Sequence, residues 1–306
     1  MSEKKEKVGF IGLGIMGKPM SKNLLKAGYP LAVFDIVPES VNELVAAGAR
    51  KATSSREAAV VSDVTITMLP DSAQVEQAVL GGDGVLEGIR PGTVYIDMSS
   101  INPLVSQRIC KRIEAKGAHM LDAPVSGSEL KAIDGSLAIM VGGKAEIFNR
   151  CRKILESMGK NPVLVGDIGA GNMTKLVNQI IVALNIAAFS EAFVLGAKAG
   201  LDPEKVFEAI RNGAAGSVML NQKIPSIMER NFKPGFKIAL QRKDLKNALE
   251  VARDLDVPLP LTSLVQQELI ALTNEGEENN DHSAICHFIE RLAKAEIRRG
   301  SAKQSQ

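Results

Sequence analysis

The sequence predicts an α/β protein in two parts: an N-terminal domain on a mostly parallel sheet, then a long interdomain helix opening an all-helical C-terminal domain. Short apolar runs alternate with amphipathic segments from residue 7 to about 167. This is the pattern of strands joined by crossover helices, with both faces of the sheet covered. Beyond Gly171 the strand signal stops. Asn172 to about Ala199 reads as one helix whose middle is apolar on nearly every face, which predicts burial all round. The expected domains are 1–167 and 168–306, with a cleft between them.

In order, strands are expected at Lys7–Ile11, Leu31–Phe34, Val64–Met68, Val94–Ile96, His119–Leu121, Leu137–Val141 and Pro162–Val165. Helices are expected at Met16–Ala27, Pro38–Ala47, Ala73–Leu80, Leu104–Lys116 and Ala145–Met158. Pro38 suits a first helical turn, where its missing donor costs nothing. In the second domain Asp202-Pro203 supplies an N-cap and a proline at the first helical position. Helices follow at Pro203–Asn212, Val218–Arg230, Asp244–Asp256, Ser263–Glu275 and Ser283–Ile297, and Pro258 and Pro260 separate two of them. The tail beyond Ile297 is expected to fray.

Composition narrows the function classes. The 306 residues, 45% hydrophobic and 24% charged, suffice for two ordinary globular domains. The 37 basic and 35 acidic side chains are mixed along the chain, which gives no reason to expect a nucleic acid or an anionic membrane as partner. Cys110, Cys151 and Cys286 form no CxxC pair, and His119, His282 and His287 show no metal-binding spacing, so no metal is expected. Reduced thiols suit a cytoplasmic protein. The charged start Met1–Lys7 is unlike a signal peptide. The longest apolar stretch, Ile180 to Leu195, is broken by Asn185, Ser190 and Glu191 and reads as a helix buried in protein, not a membrane span.

The most specific local signal is Gly12-Leu13-Gly14-Ile15-Met16-Gly17, a G-x-G-x-x-G string between an expected strand and an expected helix. Gly12 allows a tight turn, Gly14 lets the backbone approach a pyrophosphate, and Gly17 lets helix and strand pack closely. The anion would rest on unpaired helix N–H groups. Asp35, ending the second strand, stands where an acid binds the adenine ribose; it favours NAD and repels the 2′-phosphate of NADP. Ile36 supplies no compensating guanidinium, although Arg50 could approach, so NADP remains an alternative. Asp35 as a helix cap is the competing reading. Met68-Leu69-Pro70 and Asp97-Met98-Ser99-Ser100 follow two further strands, at the sheet edge where such ends converge on a cofactor; Ser99 or Ser100 could equally cap a helix.

Asp122-Ala-Pro-Val-Ser126-Gly127-Ser128 offers a hydroxyl and backbone N–H groups to a small carboxylate, although a plain turn has much the same composition. Lys175, Asn178 and Gln179 open the long helix at i, i+3 and i+4, so one helical face can present all three. Burial and the positive helix end would both favour release of the lysine proton. A surface lysine at a frayed helix end is the alternative. Lys243-Asp244 is expected to begin another helix, with Lys243 reaching the cleft and Asp244 capping or pairing; Asp281 or Ser283 caps the last one.

Gly12-Leu-Gly-Ile-Met-Gly17, Asp122-Ala-Pro-Val-Ser-Gly127, Gly169-Ala-Gly-Asn-Met-Thr-Lys175 and Lys243-Asp-Leu245, in this order, resemble the motifs of the β-hydroxyacid dehydrogenase family, which includes the 3-hydroxyisobutyrate dehydrogenases. The resemblance spans about residues 7 to 297. It is strongest to the branch that reduces tartronate semialdehyde (2-hydroxy-3-oxopropanoate), through Asn178–Ala188, Asn231-Phe-Lys-Pro-Gly-Phe236 and Asp281-His-Ser-Ala284. It implies a Rossmann-type first domain and a catalytic Lys175 assisted by Asn178 or Gln179. It further implies that Ser126, Gly127 and Ser128 hold the substrate carboxylate, that Ser100 lies near substrate and cofactor, and that Phe236 and Lys243 meet the cofactor in the cleft. The implied partners are a small semialdehyde and further copies of the chain, as a homodimer or homotetramer through the helical domain. 3-Hydroxyisobutyrate and succinic or glyoxylate semialdehydes are the rival substrates. Three positions depart from the common pattern: Gln179 replaces a second asparagine, Ser128 replaces a second glycine, and Ile36 stands where the branch often carries arginine.

Overall fold

The computed structural model describes residues 5–300. The first unit runs β1 (Val8–Ile11), α1 (Gly17–Lys26), β2 (Leu31–Phe34), α2 (Pro38–Ala46), β3 (Arg50–Lys51), α3 (Ser55–Val60), β4 (Val64–Thr67), α4 (Ser72–Leu80), α5 (Val85–Gly88), β5 (Val94–Asp97), α6 (Pro103–Glu114), β6 (His119–Asp122), β7 (Val125–Ser126), α7 (Ser128–Ile133), β8 (Ala138–Gly143), α8 (Ala145–Glu156) and β9 (Val163–Gly166). The strands form one sheet in the order β3-β2-β1-β4-β5-β6-β8-β7, with β9 also on β8. From β3 to β6 every pairing is parallel; β8 lies antiparallel to β6 and β7. The chain leaves β1 toward β2 and returns on the other side to β4, so the order reverses between β1 and β4. Ligands of such sheets bind beyond the strand ends at this reversal. Apolar cores cover both faces, one around Phe10, Leu24, Ile96 and Leu121, the other around Val75, Tyr95, Ile109 and Ile113.

The second unit is helical, as expected: α9 (Ala170–Lys198), α10 (Pro203–Ile210), α11 (Val218–Met228), α12 (Ile238–Asp254), α13 (Pro260–Asn274), a 3₁₀ turn at His282–Ile285 and α14 (Cys286–Ala293). Its own core gathers Phe189, Phe193, Ile224, Ile227, Leu245 and Leu269.

Four expectations are corrected. The units part between Lys175 and Leu176, within α9, and not at 167/168. The cause is that the start of α9 is bonded to β6: the Asp122 carboxylate accepts from Gly169 N and Asn172 N, both at 2.7 Å. α12 begins at Ile238, so Lys243-Asp244 lies inside it, because Ile238, Gln241, Leu245 and Ala248 already form a buried stripe at helical spacing. The last helix is shorter than expected: it follows a 3₁₀ turn and stops where Lys294 turns left-handed. Finally, α9 is not buried all round; Val177, Ile181 and Leu195 are more than half exposed. With 29 residues and an 18-residue stretch of mean hydropathy 2.0, α9 is long and apolar enough to cross a membrane by length and composition alone. An apolar recess of about 510 Å³ borders it, lined by Ile181, Phe189, Phe193, Ile210 and Leu220. Among the described residues, no titratable side chain lines that recess.

Candidate active site

The Gly12–Gly17 loop leaves β1 at the reversal point. Gly12 has φ +94°, and a Cβ there would come within 2.3 Å of Met68 O on the neighbouring strand end. A Cβ on Gly17 would lie 1.9 Å from Gly12 O. Both glycines are thus fixed by packing of the protein on itself. A Cβ on Gly14 would meet nothing within 4 Å. No side chain caps α1. The open face at Gly14 and the lack of a side-chain cap fit a dinucleotide pyrophosphate. Leu13 and Met16 tuck inward, whereas Ile15 is exposed.

Asp35 caps no helix. Its Oδ2 accepts from Leu13 N at 2.5 Å and its Oδ1 from Val37 N at 2.8 Å, so the acid is clamped to the glycine loop. Each carboxylate oxygen retains a further lone pair for a ribose hydroxyl. Ile36 is 88% exposed beside it, and Arg50 is paired with Glu57 at 2.9 Å.

Under the neighbouring strand ends lies a buried polar network. Thr67 Oγ1 bonds Tyr95 Oη at 2.6 Å and Asp97 Oδ1 at 2.9 Å, and Ser99 N donates to the same oxygen. Burial pushes the Asp97 carboxyl up to about 6, and neighbouring Asp122 adds to the rise. Ser99 is fully buried, and its hydroxyl accepts from Leu69 N at 2.9 Å. It therefore shapes the Met68-Leu69-Pro70 segment from beneath, while Ser100 and Pro70 are more open.

Ser126 ends β7, and Gly127, with φ +148°, turns the chain into α7, leaving Ser128 exposed in a left-handed conformation. A Cβ on Gly127 would lie 2.7 Å from the Lys131 side chain.

Lys175 is 6% exposed, which excludes a frayed surface lysine. Its place is set by bonds that the sequence reading missed. Asp122 holds two N–H groups at the start of α9, and Asn172 accepts from Ile101 N at 3.0 Å and donates to Ser106 at 3.1 Å. Gly142 and Gly171 make room: a Cβ on the first would lie 2.2 Å from Asp122 Oδ1, and on the second 2.5 Å from Asp122 O.

In the helical unit, Asn178 Nδ2 donates to Gln179 Oε1 and Gln179 Nε2 donates to Asp244 Oδ2, both at 2.8 Å. Lys243 Nζ lies 3.2 Å from Asp244 Oδ1. Asp281 is much more than a cap. It accepts from Lys223 Nζ at 2.8 Å and from the N–H groups of Gly235, Phe236 and Ser283. Burial alone would raise its carboxyl, but the charges of His282 and Lys223 outweigh it and hold the group at about 2. This fixes the Phe236 loop, whose ring stands edge-on to His282 at 5.3 Å. Cys286, His287 and Glu290 do converge within 4.8 Å. Arg230 occupies Glu290 at 2.7 Å, and burial pushes the Cys286 thiol well above its usual value; both oppose a cation.

Residues 7–176 match the model of the NAD-binding domain of 6-phosphogluconate dehydrogenase, and residues 169–289 match that of the NAD-binding region of NADP-dependent 3-hydroxyisobutyrate dehydrogenase. The chain belongs to the β-hydroxyacid dehydrogenase family. It is an NAD(P)-dependent oxidoreductase acting on a CH–OH group. It is 42% identical to 2-hydroxy-3-oxopropionate reductase of Escherichia coli K12, over 95% of this chain and 99% of that one. It is 39% identical to 2-(hydroxymethyl)glutarate dehydrogenase of Eubacterium barkeri, over 97% and 99%. Among solved structures, 3-hydroxyisobutyrate dehydrogenase of Mycobacterium tuberculosis with L-serine superposes with a TM-score of 0.87 at 33% identity, covering 94% of this chain and 99% of that one. The names of these relatives give different substrates.

Proposed function

We propose that this protein reduces 2-hydroxy-3-oxopropanoate to D-glycerate with NADH, and that Lys175 is the general acid. The observation that carries the reading is a buried lysine fixed at the start of α9, in a chain resembling a reductase of this substrate. NADH, when bound, supplies the hydride. Gly12, Gly14, Gly17 and Asp35 hold it, and Met68, Leu69 and Pro70 line the neighbouring strand end. Asp35, without a free guanidinium beside it, favours NADH over NADPH. Ser126 and Gly127 bind the substrate carboxylate, and Ser128 narrows the turn beside them. As hydride reaches the aldehyde carbon, the carbonyl π pair moves to oxygen. The Lys175 ammonium stabilises that charge and gives its proton to the oxygen. In reverse the neutral amine takes the alcohol proton. The E. barkeri and M. tuberculosis relatives make longer or 2-methyl acids the rival substrates.

Turnover of 2-hydroxy-3-oxopropanoate, succinic semialdehyde and 3-hydroxyisobutyrate with each cofactor tests the reading. The first substrate with NADH is expected to give the highest kcat/KM. K175A is expected to lose about a thousandfold or more in kcat with NADH binding unchanged; equal loss of NADH binding would refute this division of labour. The exposed Val177, Ile181 and Leu195 on α9 also support assembly of copies through the helical unit, for which light scattering should give a dimer or tetramer mass.

A further inference from the structure

Three side chains of the helical unit form a directional chain. Asp244 is 2% exposed, with Lys243 Nζ 3.2 Å from its Oδ1, so its Oδ2 stands as the acceptor toward Gln179. Gln179 must therefore turn its amide nitrogen toward Asp244, as the 2.8 Å Nε2–Oδ2 contact shows. Its Oε1 then faces Asn178 and accepts from Nδ2, again at 2.8 Å. Asn178 is left with its carbonyl Oδ1 as the outward group, and among the described residues nothing donates to it. Gln179 cannot slide out of this register, because Gln241 Nε2 donates to its backbone carbonyl at 3.3 Å. Gln241 is directed in the same way: its Oε1 faces His282 Nδ1 at 3.2 Å, which makes that ring nitrogen the donor.

We propose that Asn178 Oδ1 accepts the C2 hydroxyl of a 2-hydroxy-3-oxo acid, and that Asp244, acting through Gln179, is the positioning residue that keeps this acceptor outward in place of the NH2 group. The assignment rests on the reading of Lys175 as general acid, from which Asn178 lies one turn onward along α9. It makes Asn178 a specificity determinant. A substrate with hydrogen or methyl at C2 brings no donor and leaves the Oδ1 unpaired, a penalty that hydrogen-bonding sites use to reject analogues lacking the group. With glutamine at 179 the side chain has the reach to touch both Asn178 and Asp244 at normal hydrogen-bond length.

The experiment is the ratio of kcat/KM for 2-hydroxy-3-oxopropanoate to that for 3-oxopropanoate, with NADH affinity measured in every variant. The wild-type ratio is expected to be about 100 or more. D244N removes the group that dictates direction, so both amides can rotate, and the ratio should fall about tenfold or more. N178L should bring it close to one. The double variant Q179E/D244N moves the carboxylate one step along the chain. The new amide at 244 donates to it and Asn178 Nδ2 still does, so the ratio should return toward wild type while D244N alone stays low. A purely structural role for Asp244 predicts no such rescue. An unchanged ratio in D244N and N178L, or a double variant as low as D244N, overturns the assignment. A wild-type enzyme that reduces both aldehydes equally overturns this assignment only. One that reduces neither overturns the reading of the function beneath it.

Discussion

Helices α1 and α9 both start on glycine-rich turns, Gly12-Leu-Gly14-Ile-Met-Gly17 and Gly166-Asp-Ile-Gly169-Ala-Gly171, yet they treat their N-termini in opposite ways. α1 has no side-chain cap and starts beside an open glycine face. At the start of α9 the Asp122 carboxylate, brought over from β6, takes the N–H groups of Gly169 and Asn172. The same local geometry is kept for an external anion in one place and committed internally in the other. The difference explains how a lysine can stand near a positive helix end: the Asp122 charge offsets the dipole there. The sharpest way to break the comparison is D122N. One amide hydrogen pair would then face a buried N–H, costing about 3 kcal/mol of stability. As Lys175 loses its fixed place, kcat should fall about 100-fold. NADH binding at α1 should persist. Denaturant titration and steady-state kinetics check both numbers, and an unchanged kcat would show that the Asp122 contacts do not place Lys175.

Asp97 lies one strand over from Asp122, and Asp97 Oδ2 is buried without a partner. Burial raises its folded-state value from 3.8 to about 6. The folded protein therefore binds this proton more tightly than the unfolded chain between about pH 4 and pH 6. Stability from this group is present in full below pH 4 and is lost as pH rises to about 6, by about 3 kcal/mol in all. D97N keeps an acceptor for Thr67 and Ser99 N and carries no charge. It should be more stable than wild type at pH 8 and lose that advantage by pH 4. Parallel pH slopes for the two proteins would contradict the origin assigned to this term.

The glycines of α1 give a finer separation. G17A drives a methyl into Gly12 O and should cost about 1–3 kcal/mol of stability together with cofactor affinity. G14A meets no protein atom, so it should fold like wild type and lose NADH affinity alone. Thermal melts with and without NADH distinguish the two; a destabilised G14A would mean that its open face is occupied by the protein itself.

How legible these features are depends on how far apart in sequence their partners lie. The glycine loop, Asp35 and the Lys175–Asn178–Gln179 face are local patterns, and the structure places each on the expected strand end or helix. Asp122 and Asp244 act on residues 47 and 65 positions away, and no local pattern announces such a bond. α3 carries a local signal in Ser-x-x-Glu: Ser54 Oγ accepts from Glu57 N, and the Glu57 carboxylate reaches back one residue beyond the cap to accept from Thr53 N. The exposure of α9 was not legible, because an apolar helix reads the same whether its own chain or another covers it. The early start of α12 was missed for a different reason, since Lys243-Asp244 resembles a helix opening although the buried stripe begins at Ile238.

The third glycine-rich turn, Gly127-Ser128 at the start of α7, gives the smallest effect. Ser128 has φ +63°, a conformation that costs an L-residue about 1 kcal/mol and glycine almost nothing. Among the described residues the Ser128 hydroxyl makes no hydrogen bond, so S128G gives up no contact within the fold. Part of the gain is offset by the greater freedom of glycine in the unfolded chain. The net expectation is a stabilisation of about 0.5 kcal/mol, read from denaturant midpoints at constant slope. A loss of stability would mean that the serine side chain supports the turn through a contact stronger than the strain it bears.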